Sequence, residues 1–323
     1  MKIKSKREEI RKMDKDNLME FKSVIRNNYQ DYLNKDLSKE KDIEVYVEAL
    51  YQGYLDACRT FKWLPESEIK KCKNDNDKRD KVKAILKGEE PTGVAYRIEN
   101  YLEEGISDTF RGFDDMHKDL CLNLIQNFRA ENADVSYGQA QKIINMAFKY
   151  LYCCNYDDEM KERFKVCHMP LDSFSLEWFK RCFKGHDFTK DNIVFKLEEK
   201  LFKRDKDKKL LLKVDSIDSW SSMKSIESMK EKDVHLGEKY PYEFYRDMIK
   251  GYCKEHNINS SLELDFIVWP QMQKIMAAEA FIKSFEQDDD KWVKNAIKGE
   301  IYDIENLDEV LEKRLIKIRP FIC

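Results

Sequence analysis

One stretch constrains the fold more than any other: "YGQAQKIINMAFKYLYC", Tyr137 to Cys153. Its apolar residues recur at helical spacing and cover most of the circumference. At 100° per residue Ile144, Phe148 and Leu151 share one face, and Ile143, Ala147 and Tyr150 share the next. A helix that is apolar nearly all round belongs inside a protein. It needs other helices or a sheet packed on several sides. Yet Gly138, Lys142, Asn145 and Lys149 form a narrow polar stripe along it. A buried ammonium is costly unless it is paired or neutralised. The stripe is therefore either a solvated edge or a place where a lysine does chemistry.

The rest of the chain supplies the neighbours. Only 10 Gly and 6 Pro occur in 323 residues, among abundant Lys, Glu, Leu and Ile. That balance favours helices over a many-turned β fold. Helical periodicity predicts segments at 42–64, 89–105 and 107–128, the last capped by Ser107 or Asp108. Residues 70–81 read as a solvated loop or exposed helix end. Pro170 ends what precedes it, and Asp172 or Ser173 can cap a helix reaching 183. Further helices are expected at 241–256 and 260–285, the latter kinked or interrupted at Pro270. One or two surface helices are expected within 1–35, and a short helix with an extended apolar segment within 304–323.

Residues 185–238 differ. "NIVFKLEEKLF" and "KKLLLKVDSI" flank the charged turn "KRDKDK", which predicts a β-hairpin within 190–217. The expected fold class is thus mainly α, a multi-helix globular protein with at most a small inserted hairpin. No firm domain boundary is legible in 1–323. The organisation expected within one helical unit is an N-terminal helical part at 1–106, a site core at 107–184, an insertion at 185–238 and C-terminal helices at 239–323.

Several function classes lack their residues. There is no G-x-x-x-x-G-K-[ST], no G-x-G-x-x-G and no G-x-S-x-G. Cys253 and His256 stand as C-x-x-H, and Cys167 adjoins His168. There is no C-x-x-C, so zinc ligation is disfavoured against ordinary buried thiols. Nine scattered cysteines suit reduced thiols in a cytoplasm better than a disulfide framework. The five histidines lack a local partner motif and read as surface or capping residues. No run of 18 apolar residues occurs, so no membrane span or membrane partner is expected. At net charge −3, any nucleic-acid contact requires a local basic face. Each basic run is interrupted by acids and reads as a solvated face. Trp178, Trp220 and Trp269 are the aromatics to examine for stacking on a base.

The helix with its Lys142, followed by "MPLDSFSLEW" with Asp172 at the next helix N-terminus, resembles the helix-hairpin-helix DNA glycosylase superfamily. That family pairs a lysine-bearing helix with a P-[VI]-D segment whose aspartate caps the following helix. Within it, "GQAQKIINMAFKYLYC" is most similar to the archaeal 8-oxoguanine glycosylase branch, where a Gln-Lys pair opens an apolar helix. The likeness spans residues 137–180. "ENADVSYG" stands where most members carry an L-P-G-[VI]-G hairpin, and the iron–sulfur loop is missing. The chain is also similar to bacterial proteins without an assigned activity that pair G-x-A-Q-K with P-[LI]-D.

The resemblance implies a DNA glycosylase/AP lyase-like function on damaged or modified DNA. Lys142 corresponds to the nucleophile and Asp172 to the conserved acid. Gln141, Asn145, Lys149 and Trp178 are expected at the substrate. A partly desolvated lysine supplies the neutral amine, so no metal or organic cofactor is required. The competing expectation is a non-enzymatic α-helical protein that binds protein or nucleic acid, as in a mobile-element or defence locus.

Overall fold

The structure is a computed structural model, and it describes residues 16–188, 202–214, 217, 219–225 and 240–284. The chain divides into two compact units, residues 1–268 and 269–323. In the first, helices α1 (16–24) and α2 (Asn27–Gln30) precede α3 (Ile43–Ala57). Then come α4 (Glu68–Lys71), α5 (Asp75–Lys87), α6 (Val94–Glu104) and α7 (Phe113–Ala130). The predicted central helix follows as α8 (Tyr137–Tyr152), then α9 (Asp158–Phe164) and α10 (Ser173–Cys182). Later come α11 (Tyr242–Glu255) and α12 (Ser261–Ser284). Of the second unit the described residues are 269–284, helical throughout.

The fold is mainly α, as the composition predicts. Among the described residues there are two small sheets, both antiparallel pairs: β1 (Lys62–Trp63) with β2 (Ala133–Asp134), and β3 (Phe202–Arg204) with β4 (Leu210–Leu212). The second is a hairpin inside the expected 190–217 interval. Asp205 Oδ1 shapes its turn by accepting the N–H groups of Asp207 and Lys209, each at 2.9 Å. Residues 189–201, which hold all of the first expected strand but Phe202, lie outside the described residues. So do the C-terminal segment 304–323 and residues 1–15.

α8 is the core of the first unit: every residue from Tyr137 to Leu151 is buried. Its start is set by a capping box. Ser136 Oγ accepts the Gln139 N–H at 3.1 Å, and Gln139 Oε1 accepts the Ser136 N–H at 2.9 Å. α3 packs along it with the backbones close. A Cβ on Gly53 would lie 2.5 Å from the Ile143 carbonyl oxygen, so only glycine fits there. α7 packs on another side, and Phe113 meets Phe148 edge-on with centroids 5.4 Å apart.

Several expected boundaries move. The 42–64 helix ends at Ala57, because Lys62 and Trp63 instead pair with Asp134 and Ala133. The helix expected from 107 begins at Phe113 behind Gly112. Ser107 forms a turn with Phe110 and bonds the Thr109 hydroxyl, so neither it nor Asp108 is the cap. Residues 75–81 are helical: Asn74 caps α5, which buries Val82 and Leu86 and leaves the charges of 75–81 exposed. The helix at 261–284 continues through Pro270 without interruption.

Candidate functional site

Asp172 is the N-cap of α10. Its Oδ1 accepts the N–H groups of Phe174 at 2.9 Å and Ser175 at 3.1 Å, and the Ser175 hydroxyl accepts the Asp172 N–H at 2.7 Å. One carboxylate oxygen is thus fixed by the helix terminus. The other faces the central helix: Lys142 Nζ stands 3.6 Å from Asp172 Oδ2. That is an ion-pair distance, longer than a direct hydrogen bond. Both side chains are nearly enclosed, at 10% and 13% exposure.

What covers the amine is a short strap. Trp220–Ser222 form a single 3₁₀ turn, and the Lys142 ammonium sits 4.4 Å from the centre of the Trp220 ring. Gly138 makes this approach possible, since any Cβ there would overlap the Trp220 carbonyl. The Gly138 N–H donates to Met223 O at 2.9 Å, and the Ser136 hydroxyl donates to Ser221 O at 2.6 Å.

The other stripe residues point inward. Gln141, fully buried, clamps the backbone of Leu171. Asn145, one turn on, donates to Gln141 Oε1 at 3.0 Å and Tyr242 Oη at 3.1 Å. Its Oδ1 accepts from His117 Nε2 at 2.8 Å. Lys149 has no exposed surface; its Nζ lies 2.6 Å from Asp265 Oδ2 and 3.9 Å from the centre of the Phe21 ring. Burial pushes Asp265 above the ordinary carboxylate value. The Lys149 ammonium opposes that rise and the Asp172 charge adds to it. Trp178 packs edge-on against Tyr252, centroids 5.1 Å apart, and the ring that meets Lys142 is that of Trp220 instead.

Sequence reasoning missed the histidines. His117 and His168 are buried rather than superficial, with ring centroids 4.4 Å apart. His168 Nε2 lies 2.8 Å from Asp114 Oδ1, and its Nδ1 lies 2.9 Å from Tyr242 Oη. A carboxylate only accepts, so Nε2 carries the proton and Nδ1 accepts from the tyrosine. The result is a directed chain: Asn145 N–H to Tyr242, Tyr242 O–H to His168, His168 N–H to Asp114. Burial pushes His168 down to about 4, the bond to Asp114 opposing. Burial, with His168 beside it, puts His117 well below its ordinary value. Burial works against the Asp114 charge too, but His168, Lys250 and Arg246 together hold that carboxyl well below the usual range. Lys250 Nζ stands 2.6 Å from Asp114 Oδ1 and Arg246 Nη1 3.4 Å from Oδ2. No local motif announces this cluster, because its members are drawn from α7, α8, α11 and the segment before α10.

The buried thiols of Cys121, Cys153 and Cys167 are all pushed up by burial, which makes them poor nucleophiles. Among the described residues, no three His, Cys, Asp or Glu side chains are grouped to hold a metal ion, and no helix is long and apolar enough to cross a membrane. A cleft of about 640 Å³ lies between α5, the start of α6 and α7, lined by Lys81, Glu89, Asn123 and Asn127 among others. Lys142 and Asp172 do not line it. No protein-family model, curated protein or solved structure matches this chain.

Proposed function

We propose that the chain is a lysine-dependent DNA glycosylase/lyase-like enzyme acting on damaged or modified nucleotides, with Lys142 as nucleophile and Asp172 as its acid partner. One observation carries the reading: the Lys142 amine stands 3.6 Å from a carboxylate whose other oxygen is locked by a helix cap. Such a carboxylate is pre-organised and needs no rearrangement as charge develops beside it.

The chemistry follows from that pair. The target nucleotide leaves the base stack to reach the amine. The neutral Lys142 nitrogen bonds to the sugar carbon C1′ as the glycosidic bond breaks, its electron pair leaving with the base, which takes up a proton. The resulting N,O-acetal loses its ammonium proton; the C1′–O4′ bond then breaks, its electron pair going to O4′, which takes up a proton, and C1′ is left as a Schiff base. Asp172 stabilises the positive charge that builds on the sugar. Loss of a proton from C2′ then expels the 3′ phosphate by β-elimination. No step calls for a metal or an organic cofactor.

The test is covalent trapping. Duplexes carrying abasic or oxidised-base sites, with borohydride added, should give a protein–DNA adduct, and Lys142→Gln should abolish it. Lys149 is unsuited as the control, since its ammonium is ion-paired in the core. Lys161, exposed on α9, serves instead, and Lys161→Gln should still trap. Absence of an adduct with every lesion would end the catalytic reading.

A second reading has its own observation. Gln141, Asn145 and Lys149 are wholly enclosed and engaged by Leu171, Tyr242 and Asp265. In that reading the stripe is a structural spine, and the chain is a non-enzymatic α-helical protein that binds a protein or nucleic acid through its surface. A Lys142→Gln variant that loses stability, with no adduct from the wild type, would favour it.

A further inference from the structure

We propose that Trp220 belongs to the Lys142 site, and that the 219–225 strap decides whether the amine can react. This extends the catalytic reading above, on which its biological meaning rests, although the strap's action can be measured without DNA.

The strap lies across the start of α8 and over the amine. Its two bonds to that helix start, Ser136 Oγ to Ser221 O and the Gly138 N–H to Met223 O, both involve strap carbonyls. They hold the strap whatever its side chains are. The buried Met223 side chain anchors one end, and the half-buried Trp220 ring forms the roof over Lys142. With Asp172 at 3.6 Å and the indole at 4.4 Å, the partners of Nζ suit an ammonium. A nucleophile must instead present a free electron pair to a carbon about 3 Å away. The indole face occupies one approach to the nitrogen and Asp172 another. The covered arrangement is therefore a resting one.

Gly138 gives the strap its seat on α8. The strap backbone sits so close that a methyl group at 138 would overlap the Trp220 carbonyl. Alanine at this position is good for the helix and bad for the strap alone.

The experiment reads the amine directly. The protein is treated with formaldehyde and cyanoborohydride, and methylation of each lysine is followed by peptide mass spectrometry. Exposed Lys39 and Lys41 give the upper rate, and fully buried Lys149 gives the lower one. In the wild type, Lys142 should react more slowly than the exposed pair but measurably faster than Lys149. Reaction as fast as Lys39 would mean the strap covers nothing. Inertness equal to Lys149 would mean that it never opens. Either result overturns the proposal.

Trp220→Ala and Gly138→Ala should each raise the Lys142 rate by roughly tenfold, because each removes local covering without opening the core. Trp220→Phe, which keeps a ring, should stay near wild type. A variant in which Lys149 also becomes methylated has unfolded, and the other variant and the wild-type ranking then decide the matter. An unchanged rate in a folded Trp220→Ala protein overturns the gate. A gated amine that forms no DNA adduct even in the open variants would leave the strap standing and remove the glycosylase reading. An adduct with an ungated amine would do the reverse.

Discussion

Gln141 and Leu171 are joined at two points. The Gln141 side-chain amide donates through Nε2 to Leu171 O at 2.8 Å and accepts the Leu171 N–H through Oε1 at 3.2 Å. The clamp sits immediately before Lys142 on one element and immediately before Asp172 on the other. It therefore sets the register in which that lysine and that aspartate face each other. Gln141→Leu would leave a buried N–H and a buried C=O without their partner. Each orphaned group costs about 1–3 kcal/mol. A clear fall in the urea midpoint is expected, and an unchanged midpoint would show that the clamp contributes nothing.

Asp172 has two roles that substitution can separate. Asparagine caps helices as well as aspartate does, whereas alanine costs roughly 0.5–2 kcal/mol. Asp172→Asn should keep most of the stability, and Asp172→Ala should lose it. If the proposed chemistry holds, both abolish borohydride trapping, because neither offers a carboxylate to Lys142. Trapping at wild-type yield by Asp172→Asn would remove Asp172 from the mechanism.

The Lys149–Asp265 pair is enclosed on all sides, with Phe21 and Phe266 rings against the ammonium. Asp265→Ala strands a buried positive charge, and breaking such a pair typically costs about 3–5 kcal/mol. Lys149→Met combined with Asp265→Leu removes both charges and should recover much of that loss. Chemical denaturation of Lys149→Met, Asp265→Leu and the double variant checks this; purely additive losses would contradict it.

Acid should weaken the fold through His117 and His168. Both have folded values below the ordinary histidine value, so the unfolded chain binds their protons first. Their contribution is fully present above about pH 6.5, the unfolded value. It falls as pH drops toward 4, the folded value of His168, by about 1.4 kcal/mol per pH unit for each histidine. Asp114, Tyr242, Arg246 and Lys250 face this pair, and the shifts of Asp114, Tyr242 and Arg246 carry them away from that window when folded. Urea midpoints measured from pH 7 to 4 should trace the decline, and replacing both histidines with glutamine should flatten it.

The central helix was legible because an apolar circumference has one physical solution, burial against several neighbours. Scarce glycine and proline determined the mainly helical class. Asp172 was legible as a cap because Pro-Leu-Asp-Ser-Phe is a local start signal whose hydrogen bonds close within three residues. The sequence could not tell which stripe residues are solvated, because 3.6-residue periodicity gives a face and not its neighbour. Lys142 and Lys149 look alike in sequence. One lies beside a helix cap under a tryptophan, and the other is locked to Asp265, 116 positions away. His117, His168 and Tyr242 carry no local signature at all, since their bonds span up to 97 positions. Local patterns decide helices and caps because those interactions are short in sequence. The pairing of buried charges and the roof over the amine depend on which distant segments pack together, and only the tertiary structure decides that.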